Sequence, residues 1–541
     1  MVQTLLIGLD GATFTVLDPL MRTGVMPTLR DLAQRGVRAP LRSVLPPLTP
    51  PGWTSLVTGQ RPGRHGVFDF FRKESADSEY FRLTTAQDIA TPTIWSLASA
   101  YGKKVVALNF PVMFPPPAVH GYVVPGGWMP WRQLRLGCHP PDLFDQLREL
   151  PSFNPRELAL DMALEAKTVE GCPDDEYADW VDLHVRREQR WFEVARHLLT
   201  REPADLVGVV FDGVDKLQHL CWRFLDPTAQ ATPQAGWEAD IAARCLRYFR
   251  ELDGHIAALL DLAGPQATVV LASDHGFGPT TEMFYLNAWL AKAGYLGWAD
   301  HATRPDGTAP RVGFHDMTRH VQLLDWNRTL AYAATPSSQG IHIVAREPGT
   351  DRPLPARRRR QIRDDLIADL RAARHPVTGD PLIARVWAAE EAFAGPFQEL
   401  APDVSIELYD GAAISILRSD TVIRPHPQPK GNHRWEGIFL ACGPSIRSGL
   451  TAPELSIVDV APLVLHSLGV PVPDDLDGRL PAAVLVPGAA TAQPAPPTAA
   501  PPLVPPPAQP AAAESAAAEP AYDSDSELVI VSRLRALGYL D

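Results

Sequence analysis

Five short apolar runs recur along the first 443 of 541 residues: TLLIGLD (4–10), KKVVALNF (103–110), ADLVGVVFD (204–212), ATVVLASD (267–274) and WEGIFLACG (435–443). Rich in Val, Ile and Leu, they read as strands buried on both faces, and the longer helical stretches between them predict an α/β fold with a mostly parallel sheet. Three of the five runs end on an acid followed by Gly or His: Asp10-Gly11, Asp212-Gly213 and Asp274-His275. In an open α/β sheet the ligand site lies beyond the carboxyl ends of the strands, so acids far apart in sequence converge on one crevice.

Composition narrows the function classes. The net charge of −13 is that of a surface that repels polynucleotide phosphates and anionic lipid headgroups, which argues against broad nucleic-acid binding. No window approaches the roughly 18–20 apolar residues that a membrane helix needs, and MVQTLLIGLDGATF lacks a basic leader and a cleavage site. A soluble, cytoplasmic protein is therefore expected. Cys138, Cys172, Cys221, Cys245 and Cys442 are odd in number and without CxxC pairing, so neither a disulfide framework nor a thiolate zinc site is expected.

Residues 1–480 read as one catalytic unit. Within them 290–425 is less regular and is expected to be an insertion that caps the crevice. It contains a helix with Ile362, Leu366 and Leu370 at i+4 spacing, and the run Arg357 to Arg360 on it is expected to pair with Asp364, Asp365 and Asp369 on a solvated face. Residues 487–522 are mostly Pro and Ala, a composition that builds extended linkers rather than cores. Residues 523–541 place Leu528, Val531, Leu534 and Leu537 at helical spacing, a short amphipathic helix.

The polar residues at the strand ends are the candidates for chemistry. Asp215 and His219, four apart in FDGVDKLQH, point the same way on a helix. Asp274 and His275 are adjacent and need the turn that Gly276 and Gly278 permit. Asp10 ends its strand before Gly11, which is also an ordinary turn sequence. His433 in KGNHRWEGIF competes with His426 for a place before the same strand and is preferred for its position next to Gly431 and Trp435. Three carboxylates and three imidazoles without a thiolate suit two divalent cations, zinc foremost, with manganese or iron as alternatives. Thr49 in LPPLTPPGWTSLVTG is the candidate nucleophile; taken alone it reads first as an N-cap, and the helix start behind it is expected to offer backbone N–H groups to phosphoryl oxygens.

The order of these blocks, LLIGLDGATF, MPTLRDLAQRG, LTPPGWTSLVTGQRPGRHGVFDF, NFPVMFPPP, DKLQH, ASDHGF, FYLNAWLAKAGYL, GNHRWEGIFLACGP and IVDVAPLVLHSLGVPVPDDLDG, resembles the type I phosphodiesterase and nucleotide pyrophosphatase branch of the alkaline phosphatase superfamily. RLRALGYL also looks like the terminal helix of bacterial members. The resemblance implies an alkaline-phosphatase-like three-layer α/β/α sandwich. It implies one cation held by Asp215, His219 and His433 and a second held by Asp10, Asp274, His275 and the Thr49 oxygen. Thr49 would attack phosphorus and form a phospho-threonine that is then hydrolysed.

Departures bear on the substrate. The Phe-Pro-Asn that usually follows the nucleophile is replaced by Pro50, Pro51 and Gly52, so the Asn donor to a phosphoryl oxygen is absent. The Cys or Ser-x-Pro-x-Arg signature of sulfatases is absent too. Trp53, Asn109 and Trp128 are weak candidates for the substrate pocket, and His65 for a supporting position. The expected substrate is a small phosphodiester or pyrophosphate. A phosphomonoesterase or a phosphoglycerate-mutase-like phosphotransferase is the rival on the same core, and a non-catalytic scaffold recruited through the Pro-rich tail is the rival of another class.

Overall fold

The computed structural model of the chain describes residues 2–75, 78, 80–126, 133–159, 172–226, 236–299, 323–335 and 339–489. Trp128, most of the Pro/Ala-rich stretch and the 523–541 segment lie outside the described residues.

The strands that position the site are β1 (Thr4–Leu9), β2 (Val37–Arg42), β3 (Val105–Leu108), β4 (Gly121–Val124), β5 (Leu206–Phe211), β6 (Thr268–Ala272), β7 (Gly276–Tyr285), β8 (Ala331–Tyr332), β9 (Gly340–Ile343), β10 (Ile383–Ala388), β11 (Val404–Leu408), β12 (Ala412–Ser415), β13 (Ile423–Arg434), β14 (Glu436–Cys442), β15 (Leu450–Thr451) and β16 (Leu455–Ser456). The main sheet runs β15-β2-β14-β6-β1-β5-β3-β4, with β16 also on β2. All its pairings are parallel except those of β14 with β2 and β6.

Helices cover both faces. On one lie α1 (Phe14–Arg22), α2 (Pro27–Arg35), α5 (Tyr177–Arg201), α6 (Gly213–Leu225) and α7 (Trp237–Ala263); on the other lie α3 (Thr49–Thr58), α4 (Ile94–Ala100) and α9 (Val460–Ser467). This is the three-layer α/β/α sandwich. The strands divide their side chains by alternation: Leu5, Ile7 and Leu9 of β1 enter the first core and Leu6 the second. Gly8 and Gly208 face the second core, where a Cβ would stand 2.3 Å from the indole ring of Trp53 and of Trp95, respectively. The two glycines make room for the largest side chains of that layer.

A separate lobe lies within 286–416. Its four-stranded sheet β8-β9-β11-β10 packs with α8 (Ala356–Ala372) around Ile362, Leu366 and Leu370, the residues expected at the helix seam. The expected charge pairing along α8 is corrected at Arg359, which binds Asp403 beside β11 at 2.7 and 3.0 Å, because that carboxylate offers a bidentate partner. Asp369 accepts from Tyr295 Oη at 2.6 Å instead. A three-stranded sheet, β12-β7-β13, joins this lobe to the main sheet. Among the described residues no helix is long and apolar enough to cross a membrane.

Candidate active site

Each candidate side chain follows from a strand or helix end. Asp10 leaves β1; Asp274 and His275 occupy the turn between β6 and β7; Asp215 and His219 lie on α6, which starts directly after β5. His433 lies on β13, registered opposite Phe277 of β7. Close approach of β13 to α6 requires Gly431, where a Cβ would stand 2.2 Å from the Gln218 carbonyl oxygen.

Two clusters result, Asp10 with Asp274 and His275, and Asp215 with His219 and His433. In the first, His275 Nε2 is 3.2 Å from Asp274 Oδ2 and 3.7 Å from Asp10 Oδ1. In the second, His433 Nε2 is 3.3 Å and His219 Nε2 3.5 Å from Asp215 Oδ1, and the two imidazole nitrogens are 3.1 Å apart. The His275 and His433 rings stack with centroids 3.7 Å apart, which joins the clusters into one centre. His426, the competing histidine, belongs to neither.

The backbone sets the histidine tautomers. Nδ1 of His275, His219 and His433 lies 3.1, 3.2 and 3.1 Å from the carbonyl oxygens of Gly276, Gly431 and Pro47. A carbonyl only accepts, so each Nδ1 carries the proton and Nε2 turns its lone pair toward the carboxylates. Asp274 Oδ1 accepts from the Gly11 N–H at 3.1 Å and Asp10 Oδ2 from the Trp53 indole at 3.3 Å. Asp10 Oδ1 and Asp274 Oδ2 are buried and accept no hydrogen bond among the described residues.

Burial pushes the carboxyls of Asp10 and Asp274 well above the usual range, and Asp215 upward, with neighbouring carboxylates adding to the effect on Asp10. Burial pushes His219 and His433 down to about 3 and His275 well below its ordinary value. Orphaned carboxylate oxygens beside neutral, oriented imidazoles form a donor set that fits divalent cations.

Thr49 is fully buried, with Oγ1 3.4 Å from His275 Nε2. Two expectations for it are corrected. Leu48 occupies the N-cap and Thr49 is the first helical residue, so the N-cap reading fails. The helix start also offers few donors: Pro50 and Pro51 have no N–H, and that of Gly52 bonds the Leu48 carbonyl at 2.8 Å. A side chain at 52 is sterically excluded, since a Cβ there would stand 2.9 Å from the Asp274 carbonyl oxygen. Asn109 ties β3 to β5 through Nδ2 and the Val210 carbonyl at 2.8 Å. His65 is buried behind α3, with Nε2 2.9 Å from Ser55 Oγ.

Behind α6 lies a buried network outside the residues expected from the sequence. Glu188 Oε1, from α5, accepts from the Gly213 N–H at 2.7 Å and from Tyr248 Oη at 2.9 Å, so it caps the helix that carries Asp215 and His219. Asp212 Oδ2 accepts from Lys216 at 2.6 Å and Arg187 at 3.2 Å. Burial, then Asp212, pushes the Glu188 carboxyl up to about 8. The adjacent Arg187-Glu188 pair marks only a charged stretch of an amphipathic helix and gives no sign that either side chain is buried.

The family profile described as type I phosphodiesterase / nucleotide pyrophosphatase matches residues 4–436. This chain belongs to that family. Among solved structures, murine ectonucleotide pyrophosphatase / phosphodiesterase 5 is 15% identical with a TM-score of 0.51, covering 89% of this chain and 100% of its own. An inactive variant of that murine protein in complex with AMP is 14% identical with a TM-score of 0.51, covering 90% and 100%. Phosphonoacetate hydrolase from Sinorhizobium meliloti 1021, in complex with phosphonoacetate, is 17% identical with a TM-score of 0.50, covering 87% and 95%. At these identities the likeness is one of fold. No curated protein matches the sequence. The chain is a phosphoester hydrolase of a metal-dependent family, with two candidate metal-ligand clusters.

Proposed function

We propose that the protein hydrolyses phosphodiester or pyrophosphate bonds with Thr49 as nucleophile and two divalent cations, zinc foremost, as cofactors. The observation that carries this reading is the position of Thr49 Oγ1, 3.4 Å from Nε2 of His275, whose ring stacks on that of His433 in the other cluster. Asp10, Asp274, His275 and Thr49 would hold one cation and Asp215, His219 and His433 the other. When bound, the cations supply positive charge to the Thr49 oxygen and to the phosphoryl oxygens. That supply matters here because two prolines and an engaged Gly52 N–H leave the helix start with little to offer an oxyanion.

Thr49 forms the new O–P bond as the bond to the leaving oxygen breaks, and water then cleaves the phospho-threonine. The backbone carbonyls on the three Nδ1 atoms hold the imidazoles through both steps. Trp53 keeps Asp10 oriented, and the turn glycines keep Asp274 beside the nucleophile helix. AMP bound to the murine neighbour supports a small nucleotide-like or other phosphate ester as substrate.

The test compares hydrolysis of bis-p-nitrophenyl phosphate and p-nitrophenyl phosphate by zinc- or manganese-loaded protein, with Thr49→Ala and chelated controls. Diester preference lost in both controls is expected. Monoester preference would move the protein to the phosphatase reading, and activity surviving Thr49→Ala would remove Thr49 as nucleophile.

A further inference from the structure

The two donor clusters meet at one backbone residue. Gly11, which follows Asp10, donates its N–H to Asp274 Oδ1 at 3.1 Å and so orients the first cluster. Its bare Cα faces the second: at φ +64° a Cβ there would stand 3.1 Å from Asp215 Oδ1 and 2.7 Å from the Phe277 ring. Its carbonyl accepts from Gln218 Nε2 at 2.7 Å. Gln218 lies on α6 between Asp215 and His219, so one side chain ties the turn beside the first set of ligands to the helix that carries the second. The Gln218 backbone makes another tie, because its carbonyl oxygen packs against Gly431 of β13, and His219 Nδ1 donates to the Gly431 carbonyl at 3.2 Å.

The helix by itself is a poor ruler for these distances. Cys221, two residues past His219, leaves helical geometry at φ −103° and ψ 15°, so the ligand-bearing stretch 213–220 is only about two turns long. A helix that short has little rigidity of its own. Glu188 holds its start, but a bond at the Gly213 N–H leaves rotation about the helix axis free, and that rotation sets how far Asp215 and His219 stand from Asp274. The choice of side chain is informative as well. Gln218 is fully buried, and its Oε1 makes no hydrogen bond among the described residues. A buried amide oxygen without a partner is unfavourable, and Leu or Met, close in size, carries no such cost. What an amide adds at this point is the donor to Gly11.

We propose that Gln218 is a positioning residue whose bond to Gly11 sets the spacing between the Asp10, Asp274 and His275 cluster and the Asp215, His219 and His433 cluster. Through that spacing it aligns both cations with Thr49. The proposal rests on the two-cation reading of the centre. Its role differs from that of a residue that only stabilises α6, because spacing still matters when both sites are full.

The experiment compares the full chain with Gln218→Met, both loaded with Mn²⁺. Calorimetry counts the bound cations, and electron paramagnetic resonance reports their spacing, since the magnetic interaction between two Mn²⁺ ions falls steeply with separation. Gln218→Met is expected to bind two Mn²⁺ but to show a resonance spectrum different from the parent's. At saturating Mn²⁺ its kcat on bis-p-nitrophenyl phosphate should be lower by roughly 10–100-fold, with KM within about threefold of the parent's. Gln218→Asn, whose amide is one methylene too short for the Gly11 carbonyl, is the second variant and should behave alike; melting temperatures identify a variant that has not folded. A spectrum and kcat that match the parent's, or a kcat loss that saturating Mn²⁺ restores, would overturn the proposal and leave Gln218 as a stabilising contact only. A parent chain that binds fewer than two Mn²⁺ would overturn the two-cation reading, and the spacing role with it.

Discussion

The two donor clusters are built from similar residues by different means. Asp10, Asp274 and His275 come from the ends of two adjacent central strands and are 0–2% exposed. Their positions follow from the sheet itself, whose ladder joins β1 and β6 residue by residue. Asp215 and His219 ride on a helix and His433 on a strand outside the main sheet, and the His219 and His433 side chains are 13% and 7% exposed. That cluster depends on how α6 is docked, hence on Glu188 at its start and Gly431 at its flank. A site made at strand ends inherits the rigidity of the sheet, whereas a site made on a helix needs partners from elsewhere in the chain to hold it.

The comparison is sharpest at the ligands. Asp274→Asn should lower diesterase activity by roughly 10³-fold or more and His219→Asn by roughly 10²-fold. Metal analysis should show about one cation equivalent lost in each. Equal retention of both cations in either variant would take that residue out of the ligand set.

Next comes Glu188, which touches no candidate ligand. Glu188→Ala should weaken one class of cation site by about 10–100-fold in calorimetry while the other class is unchanged, and Glu188→Gln should recover part of the loss through the Gly213 N–H. Uniform weakening of both classes would mean that the two clusters share one scaffold and that the contrast between them is wrong.

The smallest effect is expected behind α3. Burial holds His65 at about 3 in the folded protein, against an ordinary value of 6.5. Below 6.5 the unfolded chain binds a proton that the folded chain does not, so the His65 contribution to stability is complete above pH 6.5 and falls as pH drops toward 3. Between pH 7 and 5 the loss is about 2 kcal/mol. Denaturant unfolding of His65→Gln should show a correspondingly shallower pH dependence than the parent; identical slopes would assign the acid sensitivity to other groups.

Much of this site was legible because strand ends and helical spacing are local signals. Asp10 and Asp274 are marked by the apolar runs before them, and Asp215 and His219 by four-residue spacing. The poverty of donors at the start of α3 was also legible, since Pro50 and Pro51 announce missing N–H groups, yet the helix-start reading expected the opposite. His433 is favoured over His426 by its place next to Gly431 and Trp435 and by the family resemblance, but neither gives its distance from Asp215. That distance comes from the antiparallel ladder that sets His433 opposite Phe277. Glu188 was out of reach because a helix N-terminus can be capped from any distance, and here the cap comes from 25 residues upstream.

By itself the sequence determined the α/β layering, the convergence of acids at one sheet edge and the seam of α8, because buried strands and amphipathic helices are specified by the periodicity of their own side chains. Tertiary structure alone decided that Gly8 and Gly208 seat the indoles of Trp53 and Trp95, that the His275 and His433 rings stack into one centre, and that Glu188 caps α6. Those outcomes depend on distances between segments that are not neighbours in the chain, and such distances exist only once the layers have packed.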